Sequence, residues 1–177
     1  MRKQRLSATE EPFRMASGGR IDRTARIVFT FDGKEYWGRP GDTLASALLA
    51  NGVHLVGRSF TYHRPRGILS AGSEEPNALV AVRRDWRRGA PNLRATEVEL
   101  YEGLSARSQN RWPSLERDAA SVNDRLSGLL PAGFYYKTFM GPKGFGRVGR
   151  AAWNRLYEPA IRRMAGLGQA PAEADPD

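Results

Sequence analysis

The chain has 177 residues, a formal net charge of +9, 40% hydrophobic and 10% aromatic residues, and no cysteine. That composition fits one globular domain with a buried core and excludes disulfides and any metal or cluster held by thiolates. No apolar run approaches the ~20 residues of a membrane helix, and the first fifteen residues lack the apolar stretch of a secretory signal, so a cytoplasmic protein is expected.

Residues 1–20 carry charges of both signs and read as a disordered tail, with Met15 as a second candidate start. Ile27–Phe31 is β-branched and aromatic and predicts a strand. Asp32-Gly33 predicts a tight hairpin, because both residues tolerate positive φ, and Glu35–Trp37 is the return strand. Pro40-Gly41 breaks it. Asp42 is placed to cap a helix over 43–50, with Leu44, Ala47 and Leu48 on one face. Asn51-Gly52 ends that helix, Gly52 being suited to the left-handed position after it. Phe60–His63 predicts a short extended piece and Ala78–Arg83 a buried strand. An alternation from Ala95 to Leu100, with Val98 and Leu100 on one face, predicts another strand.

Beyond this the pattern changes. Ser114 is placed to cap a helix through Leu115–Leu130, with Glu116 and Asp118 near its positive end. Pro131, Ala132 and Gly133 stop it, and an aromatic run, Phe134–Met140, follows. A last helix from about Arg147 to Met164 should be interrupted near Pro159, which has no N–H to donate. The order of hairpin, helix, loop and strands is that of an α+β, β-grasp domain over residues 21–103. A mostly helical and aromatic extension over 104–168 and a Pro/Ala/acidic linker over 169–177 complete the chain.

The segment from His63 to Val80 has the shape of a plant-type iron–sulfur loop with its ligands removed. The C-x4-C-x2-C spacing of such loops falls on Ser70, Glu75 and Ala78, and none is a thiol. A cluster held by cysteines is therefore excluded. Glu75-Pro76-Asn77 reads as a turn that closes the loop instead. His63, Arg64 and Arg66 form a basic group suited to docking an anion or a partner; the alternative is that both arginines pair with Glu74, Glu75 or solvent. Tyr135, Tyr136 and Lys137, inside the aromatic run, suit a partner surface or a core.

Other signals carry less. Gly144–Gly149 spells G-x-G-x-x-G, but a dinucleotide loop also needs a strand before it and a βαβ unit after it. His54 and His63 are the only histidines, too few for a zinc or Rieske-type site, so no metal is expected. Ser70 has no G-x-S-x-G frame, and Glu74 and Glu75 point apart in an extended loop, so no catalytic residue is assigned. Arg83, Arg84, Arg87 and Arg88 around Trp86, and the basic stretch from Lys137 to Arg163, leave a binder of RNA or of a protein as the alternative reading.

Longer words carry a resemblance: GDTLASALLANGV at 41–53, GRSFTYHRPRG at 57–67, EPNALV at 75–80, ARSQNRWP at 106–113, LPAGFYYKTFM at 130–140 and YEPAIRR at 157–163. With them the chain resembles the N-terminal, ferredoxin-like region of the alpha subunit of heterotetrameric sarcosine oxidase, over residues ~19 to ~168. The resemblance implies a 2Fe-2S-ferredoxin-like β-grasp fold and membership of a complex that demethylates sarcosine oxidatively. It also implies FAD, FMN, NAD and folate for that complex, none bound by this chain. The expected partners are the dinucleotide-binding portion of the alpha subunit, toward which the linker would lead, and the other subunits. The expected role is assembly, with no autonomous catalysis, no membrane and no nucleic acid.

Overall fold

The computed structural model describes residues 11–83, 89–127, 151 and 153–164. A five-stranded sheet is built from β1 (Ile27–Phe31), β2 (Lys34–Gly38), β5 (Leu79–Arg83), β6 (Gly89–Arg94) and β7 (Ser105–Ser108). Its order is β2-β1-β7-β5-β6, and only β1 and β7 run parallel. A small ribbon of β3 (Gly57–Arg58) and β4 (Pro65–Arg66) stands beside it. Helix α1 (Leu44–Ala50) covers one face of the sheet. This mixed sheet with one packed helix is the expected α+β, ferredoxin-like arrangement.

The alternation read from the sequence explains the core. Phe29 and Phe31 of β1, Val80 and Val82 of β5 and Ala106 of β7 point to one side, where Leu44, Ala47 and Leu48 of α1 meet them. In the turn, Asp32 and Gly33 have φ of 51° and 77°, the primed geometry that matches strand twist. Asp32 also accepts from the Ser108 backbone N–H and from Arg111, both at 2.9 Å, which fixes the hairpin to β7.

Several expectations are corrected. The tail is not disordered throughout residues 1–20: Arg14 pairs with Asp42 at 2.6 Å, Glu11 pairs with Arg39 at 3.2 Å, and Phe13 N–H donates to Ala50. Asp42 is not the cap of α1, because its carboxylate is spent on Arg14 and on the backbone N–H of Arg39. Thr43 caps instead, in a reciprocal box with Ser46. The alternation from Ala95 to Leu100 is not a strand. Its carbonyls at Ala95 and Val98 accept the first N–H groups of α1, at Ala45 and Leu44, donors that a helix leaves unpaired.

The sheet also extends past residue 103, since β7 lies in its middle. No helix runs from Leu115 through the described residues up to Ser127. A 3-10 turn (Ala119–Ser121) leads into α2 (Val122–Arg125), a single turn. Toward the C-terminus a π-helical segment (Trp153–Tyr157) runs into α3 (Glu158–Met164). The expected break near Pro159 thus takes the form of a widened turn just ahead of a residue with no N–H. Among the described residues no helix is long and apolar enough to cross a membrane.

Gly38 of β2 packs closely against Ala47 of α1 and against Leu100. A Cβ there would overlap Leu100 Cδ2 and approach Ala47 Cβ to 3.1 Å. Gly38→Ala should therefore lower stability by about 1–3 kcal/mol through overpacking. Urea unfolding checks this as a lower midpoint at unchanged slope.

Candidate functional site: the loop around Glu75

Residues 67–78 form a loop between β4 and β5 that folds around one carboxylate. Glu75 is 1% exposed. Its Oε2 accepts from the backbone N–H groups of Leu69 and Ser70, each at 2.7 Å. Its Oε1 accepts from those of Asn77 at 2.7 Å and Ala78 at 3.0 Å. Burial pushes the Glu75 carboxyl up, but the four backbone donors outweigh it and hold the group below its usual value. All three predicted ligand positions thus meet at this point: Glu75 supplies the anion, and Ser70 and Ala78 supply two of its donors. The Ser70 hydroxyl is buried with no hydrogen-bond partner, so no base activates it among the described residues.

The loop is tied to its surroundings through the same residues. The Glu75 carbonyl accepts from Arg94 Nε at 3.2 Å, and Thr96 Oγ1 donates to the Gly72 carbonyl at 2.7 Å. At the rim, Leu69 is 73% exposed.

The basic group predicted beside the loop is divided by the structure. His63, at φ 55°, directs Nδ1 to Asp118 Oδ2 at 2.7 Å. Asp118 also takes the N–H groups of Trp112 and Ala120, and Arg58 Nε lies 3.4 Å from it. Burial raises the Asp118 carboxyl, and these donors more than compensate, leaving it below its usual value. The sequence reading missed this partner because it placed Asp118 on a helix face. The Asp118-Ala119-Ala120-Ser121 string does signal a helix cap, but nothing local points across the fold to His63.

Arg64 pairs with Asp124 at 2.6 Å and lies over the Tyr62 ring at 4.8 Å. Arg66 donates to Asn77 Oδ1 at 2.8 Å. Of the alternative in which both arginines pair with Glu74, Glu75 or solvent, the Glu75 pairing is not formed: its carboxylate is consumed by backbone, Arg64 pairs with Asp124 and Arg66 with Asn77. A cleft of about 280 Å³ opens beside the loop, and its walls include Arg58, Arg66, Asn77 and Asn110. Tyr135, Tyr136, Lys137, the rest of the aromatic run, Gly144–Gly149, the linker and the Arg84–Arg88 cluster lie outside the described residues.

Residues 24–111 match a family model described as a 2Fe-2S iron-sulfur cluster binding domain. The chain carries a ferredoxin-like domain of that family. It is 61% identical over 165 residues to the sarcosine oxidase subunit alpha of Rhizobium meliloti (strain 1021), covering 93% of this chain and 16% of the relative. It is 45% identical over 105 residues to that subunit from Corynebacterium sp. (strain U-96), and 47% identical over 104 residues to that from Corynebacterium sp. (strain P-1). Each of these matches covers 58% of this chain and 10% of the relative. The crystal structure of L-proline dehydrogenase from P.horikoshii is 23% identical, with a TM-score of 0.41, over 51% of this chain and 17% of that chain. The chain therefore spans a small part of the length of the curated relatives it matches.

The ferredoxin-like domain does not fit the group its family is named for. It has no cysteine, and a carboxylate already takes up the loop's inward N–H groups. No group of three or more candidate metal ligands occurs among the described residues.

Glu75→Gln keeps the shape but offers one good acceptor atom where the carboxylate offers two. Leaving buried donors unpaired costs about 1–3 kcal/mol each, so Glu75→Gln should destabilise by at least about 2 kcal/mol, measured by urea unfolding at pH 7.

The pH dependence has a defined sign. Glu75 and Asp118 are both depressed in the folded protein, so their stabilisation is present above their unfolded values, about 4.3 and 3.9. It is lost as pH falls through the folded values. Urea midpoints should decline steadily below about pH 5, and Glu75→Gln and Asp118→Asn should each flatten part of that decline.

Proposed function

We propose that this chain is the N-terminal structural and assembly part of a sarcosine-oxidase-type alpha subunit. The observation that carries the reading is the 61% identity to such a subunit over 93% of the chain. The internally closed loop supports it: a domain of redox ancestry has been kept for its shape and contacts. In this reading the complex demethylates sarcosine oxidatively with FAD, FMN, NAD and folate, and those groups are bound outside this chain. Its neighbours are the dinucleotide-binding portion of the alpha subunit and the other subunits. In this reading catalysis belongs to the larger assembly and not to this chain by itself. Nothing in the relatives favours the alternative of a free-standing module that binds RNA or a protein.

The test is a segment exchange in the Rhizobium meliloti complex. Removing the part of its alpha subunit that matches this chain should abolish assembly, seen as loss of the flavin-containing peak in size-exclusion chromatography. Grafting residues 11–168 of this chain in its place should restore both that peak and sarcosine turnover. Normal assembly and turnover after the deletion alone would sink the proposal.

A further inference from the structure

The cleft beside the loop contains a guanidinium, that of Arg66, that no carboxylate among the described residues pairs with. Arg58, on one wall, lies 3.4 Å from the Asp118 carboxylate, and Arg64, nearby in sequence, pairs with Asp124 at 2.6 Å. Arg66 is half-buried, yet its hydrogen bond goes to the neutral amide oxygen of Asn77. Among the described residues it has no carboxylate within ion-pairing distance. A partly desolvated guanidinium with only a neutral acceptor is under-compensated.

The rest of the cleft supplies what such a cation would share with a ligand. Asn77, Asn92 and Asn110 line it. Asn92 and Asn110 both adopt left-handed backbone, φ 59° and 55°, which asparagine accepts more readily than most residues. Their positions are fixed by side-chain bonds. Gln109 Nε2 donates to Asn92 Oδ1 at 3.1 Å, and Asn110 Nδ2 donates to the Arg58 carbonyl at 3.1 Å. Phe60, Pro76 and Leu79 add apolar wall.

Size and chemistry select the ligand class. About 280 Å³ lies at the lower edge of small-molecule sites, which run from roughly 300 Å³ upward. One guanidinium fork matches the planar, singly charged carboxylate bidentately. A phosphate would call for more positive charge or for backbone N–H groups at a helix start, and the cleft walls contain no helix start. We infer that this cleft is a binding site for a small carboxylate with a short apolar stem, its head on Arg66 and its stem against Phe60 and Leu79. Asn77 links the site to the loop: its side chain holds Arg66 while its N–H is one of the four donors to Glu75. The inference concerns this chain alone and stands or falls separately from the role in a larger subunit.

The experiment is a titration of the full 177-residue chain with propionate, followed by amide chemical shifts. Propionamide serves as the uncharged control and inorganic phosphate as the competing anion. Saturable shifts with propionate, and none with propionamide, are expected. Arg66→Gln should weaken binding at least about tenfold, the loss of one charge-assisted contact. Asn77→Asp provides an internal carboxylate for Arg66, so it should also abolish binding while near-UV circular dichroism stays unchanged. Asn77→Asp decides the matter if Arg66→Gln fails to fold. Absence of saturation in the unsubstituted chain, undiminished binding in a folded variant, or equal response to propionamide would overturn the inference. Tighter binding of phosphate than of propionate would overturn the carboxylate assignment.

Discussion

A carboxylate buried to 1% exposure is a destabilising object unless its lone pairs are satisfied, because desolvation penalises the charged form. At Glu75 four converging backbone N–H groups meet that demand, and in doing so they determine the path of the loop. In a cluster-bearing loop of this kind cysteine thiolates of the chain hold the iron–sulfur core. Here the organising anion is covalently part of the chain, so the loop needs nothing delivered to it. Through Ala78 the arrangement sets the entry to β5, through the Glu75 carbonyl it holds Arg94 at the end of β6, and through Asn77 it holds Arg66 of β4. The sheet and the small ribbon are thereby joined at one point.

Asp118 plays the corresponding part on the other side of the ribbon. It receives His63, two backbone N–H groups and the edge of Arg58, and so fastens residues 112–120 to the loop between β3 and β4. Both anchors are internal acids facing a basic protein.

The parts of the fold that were legible are those whose cause is local. The Asp32-Gly33 turn, the alternation of β1 and the Gly52 helix end follow from backbone preference and periodicity, and they are found where expected. Strands β6 and β7 were not legible. Gly89–Arg94 contains Pro91 and Asn92, which an edge strand tolerates, and Ser105–Ser108 has almost no strand propensity of its own. The Ala95–Leu100 alternation misled because its carbonyls serve the start of α1 rather than a neighbouring strand. At the site, Ser70, Glu75 and Ala78 were found by spacing, and they do come together. What Glu75 does there depends on four donors from separate residues, and the Asp118 contact to His63 spans the fold, so neither left a local trace.

The place of β7 has a consequence for how this molecule is made. Among the described residues, the last strand of the sheet to be synthesised is its middle one, paired with β1 on one flank and β5 on the other. Until Ser108 is available, β1–β2 and β5–β6 are two separate two-stranded ribbons, each with open edges, and isolated ribbons are marginal in water. The sheet closes only by a long-range insertion, the slow kind of folding step. Until then the facing edges of β1 and β5 are exposed templates for pairing with other chains. A nascent or truncated chain that stops short of this strand would lack the seam itself, and it would be a candidate for aggregation rather than a smaller version of the same domain.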